Sequence, residues 1–151
     1  GEAIARNLFE MSRLTVPILA VITGEGNSGG ALALAVADRV LMQENAVYAI
    51  LSPEGFASIL WKDAARHEEA CELMKMTAPE LKALGVIDEI IPEPEGGAHL
   101  APAIAGRELD RCLRQHLTEL DRLRGPALAA ARYEKFEVQT TAIFTVKFHA
   151  K

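Results

Sequence analysis

The sequence predicts a layered fold of the α/β or α+β class with a helix-rich C-terminal end. Short, nearly all-apolar runs alternate with amphipathic stretches up to residue 91, one long amphipathic stretch follows, and Gly and Pro punctuate the boundaries. A chain of 151 residues suits one domain or part of a larger one. Half its residues are apolar and a quarter charged, a composition that buries a core rather than staying disordered.

Taken in order, residues 2–14 carry Ile4, Leu8 and Met11 on one face and Glu2, Arg6 and Glu10 on another, which is helical spacing. Thr15, Val16 and Pro17 end that helix, because the residue before a proline avoids helical angles. Residues 18–23 are a short apolar run, suited to a strand covered on both faces. The glycine-rich stretch 24–30 follows, then a small-residue helix over 31–37, a turn at Asp38 and Arg39, and two short strands over 40–42 and 47–50. Ser52 reads as an N-cap with Pro53 at the first position of a helix continuing over 56–62. Another helix covers 68–75. Thr77 with Glu80 three residues on is a capping-box pattern, and Gly85 closes the helix it opens. Residues 86–91 alternate as a strand, Pro92 stops it, and 93–99 form a Pro/Gly loop.

From 103 to 124 the pattern is one amphipathic helix, with Leu109, Leu113, Leu117 and Leu120 beside Cys112 and His116. His116 on that apolar face reads as a core residue, and the Arg and Glu residues opposite as a solvated face. Gly125 and Pro126 end the helix, and 127–136 form a shorter one. Residues 140–151 are β-branched and aromatic, with no partner strand identified. Trp61 reads as a core residue ahead of a subunit-interface one.

The net charge of −5 gives no basic face for a phosphate backbone, so nucleic acid is not an expected partner. No apolar run is long enough to span a bilayer, and the opening residues do not resemble a signal peptide. Cys71 and Cys112 have no Cys or His at metal-ligand spacing. They are expected to be reduced thiols of a cytoplasmic protein, with no metal held by this chain. The chain lacks an initiator Met and opens within a helical pattern, which predicts a fragment.

The stretch 24–30 satisfies three functional patterns. Gly24, Gly26 and Gly29 spell the dinucleotide fingerprint, with Glu44 near the expected distance. Gly26, Ser28 and Gly30 spell the hydrolase elbow, with Asp88 and His99 in the required chain order. Gly29 and Gly30 at a helix start also make an oxyanion hole, with bare N–H groups and the positive end of the helix dipole behind them. The helix that follows is short for the first pattern, and nothing demands Ser28 as a nucleophile for the second. A plain tight turn would explain the glycines, but four in seven residues carry a large entropic cost for that role alone.

A wider set of residues resembles one family: Ser12-Arg13-Leu14, Val16-Pro17, Gly24-Glu25-Gly26, Ser28-Gly29-Gly30-Ala31-Leu32-Ala33, Ser52-Pro53-Glu54-Gly55, Ala57-Ser58-Ile59-Leu60-Trp61-Lys62, Ile87-Asp88, Ile90-Ile91-Pro92-Glu93-Pro94 and Gly96-Gly97-Ala98-His99. Together they resemble the α subunit of the acetyl-CoA carboxylase carboxyltransferase, closely over residues 1–100 and more weakly at Arg132-Tyr133-Glu134-Lys135-Phe136. The resemblance implies a crotonase-like fold, a spiral of ββα units, here incomplete. Its expected divisions are a partial core over 1–100, C-terminal helices over 101–136 and a tail of unassigned structure over 137–151.

The resemblance further implies carboxyl transfer from carboxybiotin to acetyl-CoA, giving malonyl-CoA for fatty-acid synthesis. Biotin would be carried on a biotin carboxyl carrier protein, and a β subunit would complete the site in a hetero-oligomer. By resemblance, Gly29 and Gly30 provide the backbone oxyanion hole, and Gly26, Ser28, Ser52, Pro53, Glu54 and Gly55 line the substrate cleft. The family's subunits are longer, so this segment alone is expected to be inactive. Two other readings remain: a different crotonase-type acyl-CoA enzyme such as a hydratase, for which Glu54 is the one nearby carboxylate, or an inactive module that serves only assembly.

Overall fold

A computed structural model describes the backbone of residues 1–149 and the side chains of residues 1–139. The elements run α1 (Glu2–Arg13), β1 (Leu19–Ile22), β2 (Glu25–Asn27), α2 (Ser28–Leu34), β3 (Arg39–Gln43), β4 (Val47–Ala49), α3 (Pro53–Trp61), a 3-10 turn (Ala64–Arg66), α4 (His67–Met74), α5 (Ala78–Ala83), β5 (Glu89–Ile91), α6 (Pro102–Leu120) and α7 (Pro126–His149).

The strands form two parallel sheets, ordered β1-β3-β5 and β2-β4. A strand–strand–helix unit thus occurs twice, as β1-β2-α2 and β3-β4-α3, and each unit gives one strand to each sheet. Successive strands cannot pair in a parallel sheet without a crossover, so each short hairpin-like step passes from one sheet to the other. Leu19 to Ile22 lie opposite Arg39 to Met42, and Gly26 lies opposite Tyr48.

The middle strand β3 is apolar because both its faces are covered. Val40 and Met42 pack with Ala35, Ala37, Ala78, Leu81 and Ile87 on one side. Leu41 packs with Ile91 and Cys112 on the other, where α6 lies. Burying one such Leu or Met side chain stabilises by about 1.5–3 kcal/mol.

Several boundaries differ from those read in the sequence. β2 was hidden inside the glycine-rich stretch, since it offers no apolar alternation and is recognisable only through its pairing with β4. Val86 and Ile87 precede the last strand as a turn whose N–H groups donate to Leu81 O, leaving three residues in the ladder. α6 ends at Leu120, a turn earlier than expected. α7 does not stop near Phe136 but continues to His149. No Gly or Pro follows Pro126 to break it, and the β-branched residues cost a helix only a few tenths of a kcal/mol each. The last two residues of the tail expected over 137–151 lie outside the described residues.

Local signals held where neighbours in sequence control them. Ser52 Oγ accepts from Gly55 N–H at 3.1 Å and caps α3. Glu80 receives both the N–H and the hydroxyl of Thr77 at the start of α5. Gly85, φ 70°, takes the left-handed conformation that ends this helix. On the solvent side of α6, Arg111 pairs with Glu108 and Arg114 with Asp110. Trp61 is half-buried rather than in a core, with the Arg66 guanidinium 4.0 Å from its ring centroid. Among the described residues no helix is long and apolar enough to cross a membrane.

Candidate active site

The chain leaves β1, turns at Thr23 and Gly24, runs through β2 and enters α2 directly. Gly26 is closely packed: a Cβ there would stand 3.2 Å from the Tyr48 ring and 3.3 Å from Ile22, so a side chain would push these neighbours outward. Asn27 is the extended residue before α2, and its side chain does not cap the helix. Ser28 opens α2 with φ 61°, a left-handed conformation that costs a non-glycine residue about 1–2 kcal/mol. The N–H groups of Ser28, Gly29 and Gly30 are the first three of the helix, so none has a carbonyl partner within it. Neither Gly29 nor Gly30 donates to a backbone carbonyl elsewhere among the described residues. Ser28 and Gly30 are exposed and Gly29 is half-buried.

Neither Gly29 nor Gly30 is demanded by the chain itself. Both have ordinary φ, a Cβ on Gly29 would meet only Ile4, at 3.4 Å, and a Cβ on Gly30 would meet nothing within 4 Å. A glycine at a helical position destabilises by roughly 0.5–1 kcal/mol relative to alanine. An uncapped helix start stripped of side chains at this expense suits close approach by an electron-rich group.

Ser28 and Leu32 form one wall of an adjoining cavity of about 310 Å³, completed mainly by Tyr48, Ile50, Phe56 and Met74, with Lys75 also lining it. Burial pushes the Tyr48 phenol up, keeping it a neutral donor at physiological pH. Lys75 Nζ lies 3.2 Å from Glu80 Oε1. Tyr48 and Lys75 were not read as site residues; they lie 20 and more positions beyond Ser28 and carry no local pattern.

The other expected residues fall differently. Gly26 lines a second groove, along β1 and β2. The turn Ser52–Gly55 flanks the first cavity through its neighbours Ile50 and Phe56, while its own groups are spent on the cap of α3. A Cβ on Gly55 would crowd Leu51 and Ser52 Oγ at 3.3 and 3.4 Å, so this glycine serves the cap. The fully exposed Glu54 carboxyl is held below its usual range by a hydrogen bond from its own backbone and by Ser52, so it is a carboxylate at neutral pH. No hydrolase triad is assembled: Asp88 accepts from Val40 N–H at 2.6 Å and is paired with Lys135, and His99 lines a separate cavity with Glu44.

Away from this site, His116 is buried as expected, with Nε2 2.5 Å from Glu89 Oε2. Cys112 Sγ donates to Glu89 Oε1 at 3.3 Å. Burial first, then Glu89, pushes the Cys112 thiol up to about 11. Burial also pushes Glu89 up, but hydrogen bonds from Cys112 and His116, with the charges of His116 and Arg111, outweigh it and hold the carboxyl below its usual range. Both cysteines are free, Cys71 exposed and Cys112 buried. Among the described residues no group of three or more His, Cys, Asp and Glu side chains is placed to hold a metal ion.

Comparison with known proteins gives the family and the fold. Residues 1–140 match the family described as acetyl co-enzyme A carboxylase carboxyltransferase-like. The chain belongs to this family. The acetyl-coenzyme A carboxylase carboxyl transferase subunit alpha of Geobacillus kaustophilus is 57% identical over 137 residues, covering 91% of this chain and 42% of that protein. The chain therefore spans less than half the length of this carboxyltransferase relative. Among solved structures, a Pseudomonas malonate decarboxylase hetero-tetramer in complex with coenzyme A superposes with a TM-score of 0.69 at 17% identity, over 97% of this chain and 59% of that one. An enoyl-CoA hydratase from Mycobacterium avium subsp. paratuberculosis gives 0.51 at 20% identity, over 93% and 56%. These likenesses are of fold, and the chain has the crotonase-like fold expected from the resemblance.

Proposed function

We propose that this chain is the part of a carboxyltransferase α subunit that stabilises developing negative charge on oxygen while a carboxyl group passes to acetyl-CoA, giving malonyl-CoA for fatty-acid synthesis. The observation that carries the reading is the uncapped start of α2, where Gly29 and Gly30 are required by no contact of the chain itself. Biotin, carried on a biotin carboxyl carrier protein, supplies the carboxyl group when bound as carboxybiotin. The residues suit its ureido oxygen: two amides with no side chain between them and the ligand, backed by the helix dipole. Asn27, Ser28, Gly29 and Gly30 carry no charged side chain, and a donor that stabilises an oxyanion needs none.

In this reading the Gly29 and Gly30 N–H groups donate to the oxygen, and Ser28 joins them to the apolar cavity. Ile50 and Phe56 line that cavity beside the turn Ser52–Gly55, and covering of the exposed amides by the β subunit would exclude water and strengthen each donor. Gly26 lets β2 pack against Tyr48 and so sets the start of the helix. A β subunit would complete the site in a cytoplasmic hetero-oligomer, with its own donors for the thioester oxygen, and this segment would be inactive alone. The hydratase alternative needs a carboxylate acid or base, and Glu54 is fully exposed and held ionised, which does not favour it.

The test is Gly29→Val and Gly30→Val in the complete α subunit, assembled with its β subunit. Transfer should be abolished while the fold is kept, since losing one oxyanion donor costs about 10²–10³ in rate. Malonyl-CoA decarboxylation in the presence of biotin reads the same step. Wild-type rates in both variants would rule the amide role out.

A further inference from the structure

We propose that Arg132 is a positioning residue for the oxyanion-binding end of α2, acting through α1; this rests on the role given above to Gly29 and Gly30. Arg132 is 2% exposed and lies on α7, far from α2 in sequence. Its guanidinium forks onto Asp38, Nε to Oδ1 and Nη2 to Oδ2, both at 2.9 Å. The remaining donors grip the end of α1: Nη1 donates to Met11 O and Leu14 O at 2.9 Å, and Nη2 to Val16 O at 3.1 Å. Asp38 in turn accepts from Ile18 N–H at 2.7 Å, at the start of β1. One planar cation therefore caps the C-terminal carbonyls of α1 and fixes the segment leading into β1, a task that a lysine's point charge does not match.

α1 needs such a grip because it buries no residue of its own. It packs on α2 and touches α7, and near its other end Ile4 Cδ1 lies 3.4 Å from where a Cβ of Gly29 would stand. Among the described residues, Ile4 is the one outside α2 that backs Gly29 at that range. The two ends of α1 are thus tied to Arg132 and to the candidate oxyanion hole. At a rise of 1.5 Å per residue, Ile4 sits roughly 15 Å from a pivot at Leu14, so a tilt of about 4° displaces it by about 1 Å. A misplacement of about 1 Å can cost on the order of a hundredfold in rate. The distance between Arg132 and the reacting oxygen is therefore no obstacle to a large effect.

The experiment uses the complete α subunit assembled with its β subunit and compares Arg132→Met, Ile4→Ala, Gly30→Val and Leu128→Ala. Leu128, buried on the same helix α7, has an apolar side chain that makes none of the hydrogen bonds of the latch and serves as the stability control. Arg132→Met and Ile4→Ala should each lower kcat by about tenfold or more with KM for acetyl-CoA nearly unchanged, the signature of a loss confined to the transition state. Leu128→Ala should lower Tm without that fall in kcat. If Arg132→Met does not assemble, Ile4→Ala decides, because it leaves the latch intact. The proposal is overturned if both variants keep wild-type kcat while Gly30→Val loses it, or if Leu128→Ala loses kcat as fully as Arg132→Met. Should Gly30→Val itself keep the wild-type rate, the oxyanion reading fails first and takes this proposal with it.

Discussion

Replacing Gly30 with Ala should make the protein more stable and the enzyme slower. Gly30 is the third residue of α2, has ordinary φ, and faces open space where the new methyl would stand. The chain can accept the side chain without strain, and the helix gains about 0.5–1 kcal/mol from losing a glycine. For a domain of this size that raises Tm by roughly 1–4 °C. The same methyl occupies the space through which an oxygen must reach the amide. Losing one such donor is worth about 2.7–4 kcal/mol of transition-state stabilisation, several times the gain in folding. The assay pairs thermal unfolding with malonyl-CoA formation by the complete α subunit and its β subunit. A higher Tm with an unchanged kcat would refute the reasoning, because the glycine would then serve neither the fold nor a ligand.

Other outcomes follow from the electrostatics of the sheet edge and from the caps. At pH 8, a thiol reagent should modify one cysteine in the folded chain, Cys71, because the Cys112 thiol is buried and pushed up to about 11; two rapid equivalents in the native state would contradict this. Glu89 has a folded pKa below its ordinary value of 4.5, so it stabilises above that value and the contribution disappears as pH falls through the lower folded value. Thermal melts taken downward from about pH 6 should therefore lose Tm more steeply in the wild type than in Glu89→Gln, and parallel curves would count against the assignment. Ser52→Ala should cost about 1 kcal/mol in urea melts, and Ser52→Asn should recover most of it, since either Ser or Asn can cap α3.

What the sequence determined by itself was whatever near neighbours control. The cap at Ser52, the Thr77–Glu80 pair, the left-handed Gly85 and the short strand at β3 all follow from residues within a few positions of one another, whereas the strand expected to be covered on both faces, β1, lies half-buried at the sheet edge. The uncapped glycines of α2 were legible as a candidate anion site for the same reason, and the family resemblance chose among three patterns that fit the same residues. Only the tertiary structure decided which strand lay beside which, and so revealed β2, whose three residues carry no periodic signal until Tyr48 packs against Gly26. Only it joined Arg132 to Asp38 across 94 positions and separated Asp88 and His99 from Ser28. Short-range order is encoded in local torsional and hydrogen-bond preferences, whereas a long-range ion pair or cavity exists only once packing of the whole chain brings distant groups together and repays the entropy of closing the loops between them.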